Sequence, residues 1–316
     1  MSGYGMKSHL MVNFQDSFGT SQVSSLRAVA ITGETFTANI EQLTEANMYG
    51  RFSESPYHQG IFTVEAEVTQ EASPASLGHF LKSVIGLVST TSDTNTQTHV
   101  FKPRTADFDQ FAATDLLTTE VYRDVGSAFL FYDLCGNTLS IDIANGQLMT
   151  MTAGFIGAGS AKKEASSPTF PTAKPFKWDQ TSSTFNSVPL IDIQNLTINV
   201  NNNLAARHIL QTSNSPHKIK RTAQQTIEIT GTLTFQQHSY YDAYINETEV
   251  PLVLNFETDQ APNQLTIDIP RLRMKSATPT ITGAGVIEMP FTAGAMFDTG
   301  SNTAIEVTLV NTVEYY

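Results

Sequence analysis

TLSIDIANGQLMTMTAGFIGAG, residues 138–159, recurs with changes as QLTIDIPRLRMKSATPTITGAG, residues 264–285. Aligned without a gap, the two share Leu139/Leu265, Ile141/Ile267, Asp142/Asp268, Ile143/Ile269, Thr152/Thr278 and a closing Gly-Ala-Gly. A glycine cluster suggests a phosphate loop, whereas a repetition suggests architecture. The phosphate loop fails on spacing. It needs Gly, four residues, then Gly-Lys-Ser/Thr, but Gly159 is followed by Ser160 and Ala161, and the lysines come too late. A dinucleotide fingerprint would need glycine where Lys162 stands, and a helix after it. The second copy instead runs into the strand-like VIEMPF. The glycines read better as relief of backbone or side-chain crowding at a bulge or turn.

Two further pairs occur in the same order. Residues 61–81, IFTVEAEVTQEASPASLGHFL, resemble 226–245, TIEITGTLTFQQHSYYDAYI; residues 29–40, VAITGETFTANI, resemble 190–201, LIDIQNLTINVN. Each copy is thus expected to run strand, long loop, strand, short helix, Ile-Asp-Ile strand, Gly-Ala-Gly. The first copy carries an insertion at residues 89–111. The strands alternate with period two, as expected for antiparallel sheet with one wet face. Phe62, Val64, Ala66 and Val68 oppose Thr63, Glu65 and Glu67; Ile227, Ile229, Gly231 and Leu233 oppose Glu228, Thr230 and Thr232. Ser73 as N-cap and Pro74 at the first helical position predict a helix carrying Leu77, Phe80, Leu81, Val84 and Ile85. Its counterpart holds Tyr240, Tyr241, Tyr244 and Ile245.

The expected fold is mainly β: two tandem duplicated β-sandwich or barrel domains, each flanked by a short α-helix, with long loops and arms. The expected boundaries are an N-terminal arm at 1–25, a first domain at 26–160, a linker at 161–186 and a second domain at 187–316. The linker is rich in Pro, Ser and Lys and has no periodicity.

Composition agrees with this reading. The 316 residues suffice for two domains of ordinary size, and only 15% are charged. The net charge of -12 argues against gripping nucleic acid, which needs clustered Lys and Arg. The single Cys135 excludes an internal disulfide and a Cys-rich zinc site, and reads as a core residue. His9, His58, His79, His99, His208, His217 and His238 show no metal-ligand spacing. His79, on the capped helix, is expected to be partly exposed. The start MSGYGMKSHLMVNF lacks the pattern of a signal peptide, and no run of about 18 apolar residues suggests a membrane anchor. Glu65 and Glu67 form an acid pair on paper, but a solvated acidic strand face is the simpler reading. No catalytic constellation and no cofactor motif emerges, so no enzyme is expected.

Charge is unevenly placed. The loop at 41–60 carries Glu41, Glu45 and Glu54 against Arg51, while its counterpart at 202–221 carries Arg207, Lys218, Lys220 and Arg221 with no acid. Opposite signs at equivalent positions suit a head-to-tail contact between copies or subunits. Random scatter of surface charge is the alternative.

An N-terminal SFGT, then GIFTVEAEVTQEASPASLGHFLKSVIG, FNSVPLIDIQNLTINVNNNL, IEITGTLTF and a terminal alternating strand resemble the major tail tube proteins of long-tailed bacteriophages, in a two-domain variant. That resemblance implies a structural virion protein, assembled in the host cytoplasm and residing in the tail. Its rings would stack into a tube that conducts DNA into the host cell. It implies homotrimeric, pseudo-hexameric rings, with the tape measure protein and tail tip or terminator proteins as further partners. DNA would pass through an acidic lumen without specific binding. Thr63, Glu65, Glu67 and Glu228 are the expected lumen face, and the loops at 41–60 and 202–221 the expected contacts between rings. The competing reading is a receptor- or carbohydrate-binding β-sandwich of a tail fibre or adhesin. It would want exposed aromatic platforms, yet Trp178 is the only tryptophan.

Overall fold

The computed structural model describes residues 3–47, 49–50, 52–87, 89–104, 115–189, 193–281 and 283–316. Arg51, part of the insertion and Leu190 therefore lie outside the described residues. The fold is mainly β, with two short helices. Its first half comprises β1 (His9–Phe14), β2 (Arg27–Val29), β3 (Gly33–Thr44), β4 (Tyr57–Glu71), α1 (Leu77–Val84), β5 (Ser89–Asp93), β6 (Thr96–Phe101), β7 (Leu117–Tyr122), β8 (Ala128–Ala144), β9 (Thr150–Gly157) and β10 (Gly159–Lys163). The second comprises β11 (Thr181–Phe185), β12 (Val188–Pro189), β13 (Ile193–Asn201), β14 (Leu204–Arg207), β15 (Lys218–Arg221), β16 (Thr226–Thr234), α2 (Ser239–Ile245), β17 (Glu249–Glu257), β18 (Gln264–Ala277), β19 (Glu288–Ala295) and β20 (Glu306–Asn311).

The two halves repeat one pairing scheme. In the first, β3 pairs with β4, β4 with β9 and β9 with the latter part of β8. The early part of β8 pairs with β7 on one side and β10 on the other, and β7 pairs with β1, which pairs with β2. In the second half, β13, β16, β19 and β18 take the places of β3, β4, β9 and β8. There β17, β20, β11 and β12 take the places of β7, β10, β1 and β2. The repetition is compatible with a duplication. Strands β1, β10 and β11 are part of the scheme, although the first and last fall largely where the sequence looks irregular.

The register of the repeat differs from the gapless alignment. β20 pairs with Gln264–Asp268, as β10 pairs with Ala128–Tyr132. Leu265 thus corresponds to the start of β8 rather than to Leu139. The two Gly-Ala-Gly stretches are likewise not equivalent. Gly157 ends β9, where a Cβ would stand 2.7 Å from Leu134 Cδ2, and a Cβ on Gly159 would fall inside the Tyr132 ring. Gly283 and Gly285 lie in an exposed bend before β19 with open space around them. Alternating strands look alike at any even shift, which is how a false register scores well.

Long β8 serves both groups of strands, and its register shifts between Gly136 and Thr138. The Ser83 backbone of α1 leaves 2.7 Å for a Cβ on Gly136, so only glycine fits. α1 starts at Leu77, later than Ser73 and Pro74 predict. Those residues form a turn in which the Ser73 carbonyl accepts from the Leu77 N–H, and no side chain caps the helix. All eight helix residues are buried, with Phe80 against Phe155. His79, expected to be partly exposed, is 3% exposed and lies near Phe14 and edge-on to Tyr316. Burial, reinforced by the Arg27 and Lys82 charges, pushes it down to about 3, so it packs as a neutral ring.

Two straps tie distant segments to the first half. Residues beyond β10 are held at Glu120, a carboxylate with no solvent exposure, which accepts from Lys163 Nζ (2.5 Å) and from the Ser166 N–H (2.7 Å) and Oγ (2.7 Å). The segment beyond β20 ends with Tyr316 beside Gly78, where a Cβ would enter the tyrosine ring. Its hydroxyl accepts from Asn311 Nδ2 (2.6 Å) and its carbonyl accepts from Lys82 Nζ (2.8 Å). Tyr316→Ala is expected to cost about 3–5 kcal/mol, the usual range for a buried aromatic, read by denaturant unfolding. A loss below 1 kcal/mol would show that the ring is not part of the core.

Candidate functional site

Directly opposed residues on antiparallel strands share a face. Across β3 and β4, Thr35, Thr37 and Asn39 oppose Glu67, Glu65 and Thr63. Across β9 and β8, the row continues through Gly154 and Thr152 to Thr138, Ser140 and Asp142. β8 then pairs with β13, bringing Asn201, Asn199 and Thr197 opposite those three. Across β16 and β19 it reaches Thr226, Glu228 and Thr230, then Gly294 and Thr292. Seven neighbouring strands from both halves therefore present one polar face. The intervening residues, among them Val64, Ala66, Phe155, Ile141, Ile198 and Ile229, turn into the core.

Thr63, Glu65, Glu67 and Glu228 all lie on this face, on the side of the sheet away from the core and α1. The sequence missed three features of it. Asp142 belongs to the face, where it accepts hydrogen bonds from Thr197 Oγ1 (2.7 Å) and Ser140 Oγ (3.2 Å). Glu228 is neutralised by Lys275 Nζ at 2.7 Å. Between Glu65, Glu67 and Thr138 the surface is hollowed where Gly154 has no side chain, since a Cβ there would meet Thr138 Oγ1. Among the described residues no group of His, Cys, Asp and Glu could hold a metal ion. Burial pushes the Cys135 thiol up, leaving it no reactive thiolate at neutral pH.

The two charged loops are built differently. Glu41 lies on exposed β3, Glu45 just beyond its end and Glu54 in the exposed connection to β4. Glu45 accepts from Tyr49 and meets His58 Nε2 at 2.9 Å, contacts that hold its carboxyl below the usual range. This long hairpin also exposes Ile40, Leu43, Phe52, Tyr57 and Ile61. Arg207 ends β14, and Lys218, Lys220 and Arg221 lie on β15. The β14–β15 hairpin packs within the chain: Leu204 and Ile219 bury against Leu116 and Cys135, and the Asn214 carbonyl accepts from the Phe62 N–H at 2.8 Å.

The halves meet in two strand pairings: Gln97–Phe101 of β6 lie along Val307–Asn311 of β20, and β13 lies along β8. Asn195–Asn201 of β13 zip onto Thr138–Ala144 of β8 in unbroken register. The equivalent edges elsewhere carry no strand among the described residues. β3 pairs only with β4, and β18 beyond Arg273 pairs only towards β19. The chain thus ends its sheet in one open edge at each extremity, related to each other as β13 is to β8. Among the described residues β3 is free of strands along its whole outer side, where Glu34 and Arg123 meet the Phe36 backbone, and β18 is free at Met274–Ala277; such edges are templates for another strand.

A family model described as phage tail tube protein matches residues 5–299. The chain belongs to that family. Tail tube proteins are structural components of the virion tail, so the molecule is not an enzyme, and membership implies self-association into a tube and contact with other tail proteins. No curated protein matches the chain.

Proposed function

We propose that the chain self-assembles into closed rings that stack into the tail tube and conduct DNA into the host cell. The observation that carries this reading is the β8–β13 junction with its two unfilled counterparts. If β3 of one chain pairs with the free edge of β18 in the next, every boundary between half-molecules carries the same central strand pairing, and the boundary within the chain adds β6 on β20. Each half, residues 9–163 and 181–311, is then one ring unit, and three chains make a pseudo-hexamer. Assembly takes place in the host cytoplasm before the tail is complete. The tape measure protein and the tail tip or terminator proteins are the further partners.

In such a ring the polar face joins across chains into a continuous lining. Thr63, Glu65, Glu67, Asp142, Thr197 and Asn199 supply hydroxyl, amide and carboxylate groups, which a polyanion passes without counterion-release contacts. The β3–β4 hairpin, with Glu41, Glu45 and Glu54 and its exposed apolar residues, contacts the neighbouring ring. Arg207, Lys218, Lys220 and Arg221 present the complementary charge.

Electron microscopy of the purified protein tests the reading: rings or tubes are expected, and a persistent monomer at all concentrations would end it. The lining is tested separately. Tubes of the Glu65→Lys, Glu67→Lys variant are expected to retain DNA at low salt and release it as salt rises, with a slope of about -0.9 in log K against log salt per phosphate contact. Unmodified tubes are expected to retain none. Equal behaviour of the two would place this face outside the lumen.

A further inference from the structure

The helices of the two halves are covered unequally. Over α1 lie Phe14, whose ring receives Lys82 Nζ at 3.9 Å, and the segment that continues from β20. Tyr316 of that segment stands 4.9 Å from His79 and 4.7 Å from His99, centroid to centroid. In α2 only Tyr240 and Ala243 are buried. Phe185 takes the place of Phe14, 4.9 Å from the Tyr240 ring, but nothing described takes the place of the Tyr316 segment. An open groove of about 330 Å³ runs there instead, lined by Phe185, Asn186, Val188, Tyr240, Asp242 and Asn246. Val188 is 56% exposed and Ile245, on the helix itself, 55%.

The repeat indicates what belongs in this groove. The segment beyond β20 reaches α1 because β20 lies against the first half, where it pairs with β6. The strand corresponding to β20 is β10, and across a β18–β3 junction it belongs to the next chain. The segment leaving β10 is anchored at Ser166 on Glu120 and again at Phe176, which is wholly buried. Between these anchors Ser167-Pro168-Thr169-Phe170-Pro171-Thr172 is largely exposed, and Phe170 is 45% exposed. Prolines on both sides favour an extended, polyproline-like segment that loses little entropy on docking. Aromatic-lined grooves are the usual seats of such segments.

We propose that in the assembled ring the Pro168–Pro171 segment of one chain docks in the α2 groove of its neighbour, with the Phe170 ring against Phe185 and Val188. The proposal rests on the ring reading and adds a second contact, on the far side of the sheet from the lining. It makes the linker a connector between chains as well as between halves.

Two single-cysteine variants of the full chain, Phe170→Cys and Val188→Cys, test it when mixed before assembly. Cys135 is buried and gives little background. Mild oxidation of assembled rings is expected to produce a disulfide-linked heterodimer that neither variant forms alone. A second measurement uses Phe170→Ala, which removes an exposed ring and so leaves monomer melting unchanged. It is expected to raise the concentration needed for assembly about tenfold, as for a loss of roughly 1.4 kcal/mol per contact. Normal rings without heterodimer, or Phe170→Ala assembling at the unmodified concentration, overturn this contact and leave the ring intact. If the unmodified chain forms no rings, the ring reading falls, and this contact with it.

Discussion

Replacing Ala38 with proline is expected to abolish ring closure while leaving the monomer folded. The Phe36 N–H donates to the Glu34 carboxylate at 3.0 Å rather than to β4, which marks the open side of β3. Backbone groups alternate along a strand, so the Ala38 N–H also faces outward. Proline there removes one donor from an incoming ladder and sets its ring against the arriving strand. A hydrogen bond is worth about 1 kcal/mol net. Three weakened junctions in a closed ring therefore lose about 3 kcal/mol from this term alone, roughly a hundredfold in ring stability. Sedimentation velocity reads the outcome directly. Thr37→Pro, whose N–H faces β4, is the contrasting variant and is expected to damage the hairpin itself. Rings of Ala38→Pro as stable as the unmodified ones would show that β3 is not the joining edge.

Glu120→Ala is expected to destabilise the folded chain by about 3–5 kcal/mol, the range for breaking a buried ion pair. It strands Lys163 and leaves the Ser166 N–H without its acceptor. Glu120→Leu combined with Lys163→Met removes both charges and is expected to recover much of the loss. Burial alone would raise the Glu120 carboxyl, but the hydrogen bonds and charge of Lys163 and Ser166 outweigh it and hold the group below the usual range. A depressed carboxylate stabilises the fold above its unfolded pKa and loses that contribution as pH falls through the folded value. The stability gap between the unmodified chain and Glu120→Ala is thus expected to narrow as pH falls, so the variant begins acid unfolding at lower pH than a uniform loss of stability predicts. Equal acid sensitivity of the two proteins would show that Glu120 is not an acid-labile tie.

Fold class was legible in the sequence because alternation at Val64, Ala66 and Val68, or at Ile227 and Ile229, is a direct imprint of one-sided burial. The wet face was legible for the same reason at Thr63, Glu65, Glu67 and Glu228. The charge partner of Glu228 was not, since Lys275 lies 47 residues away in the chain and meets it only through sheet pairing. His79 misled because its helix looks amphipathic in isolation, and the distant Phe14 and Tyr316 cover the remaining side. Strands such as β10, GSAKK, and β11, TSSTF, have no alternation to read; they are strands because a neighbour offers a ladder. The β8–β13 junction was invisible in principle. Its bonds are made by backbone groups, which any residue but proline supplies.

That junction has a kinetic consequence. Joining two free bodies sacrifices translational and rotational freedom worth an estimated 4–15 kcal/mol. Where the two bodies are one polypeptide, the segment between β10 and β11 keeps them within reach, and the contact forms as a step of folding at a fixed high local concentration. In a ring built from such chains, half of the boundaries are complete before any subunit meets another. Dilution acts only on the other half, so a broken ring falls into intact pairs of units, already oriented for the next closure.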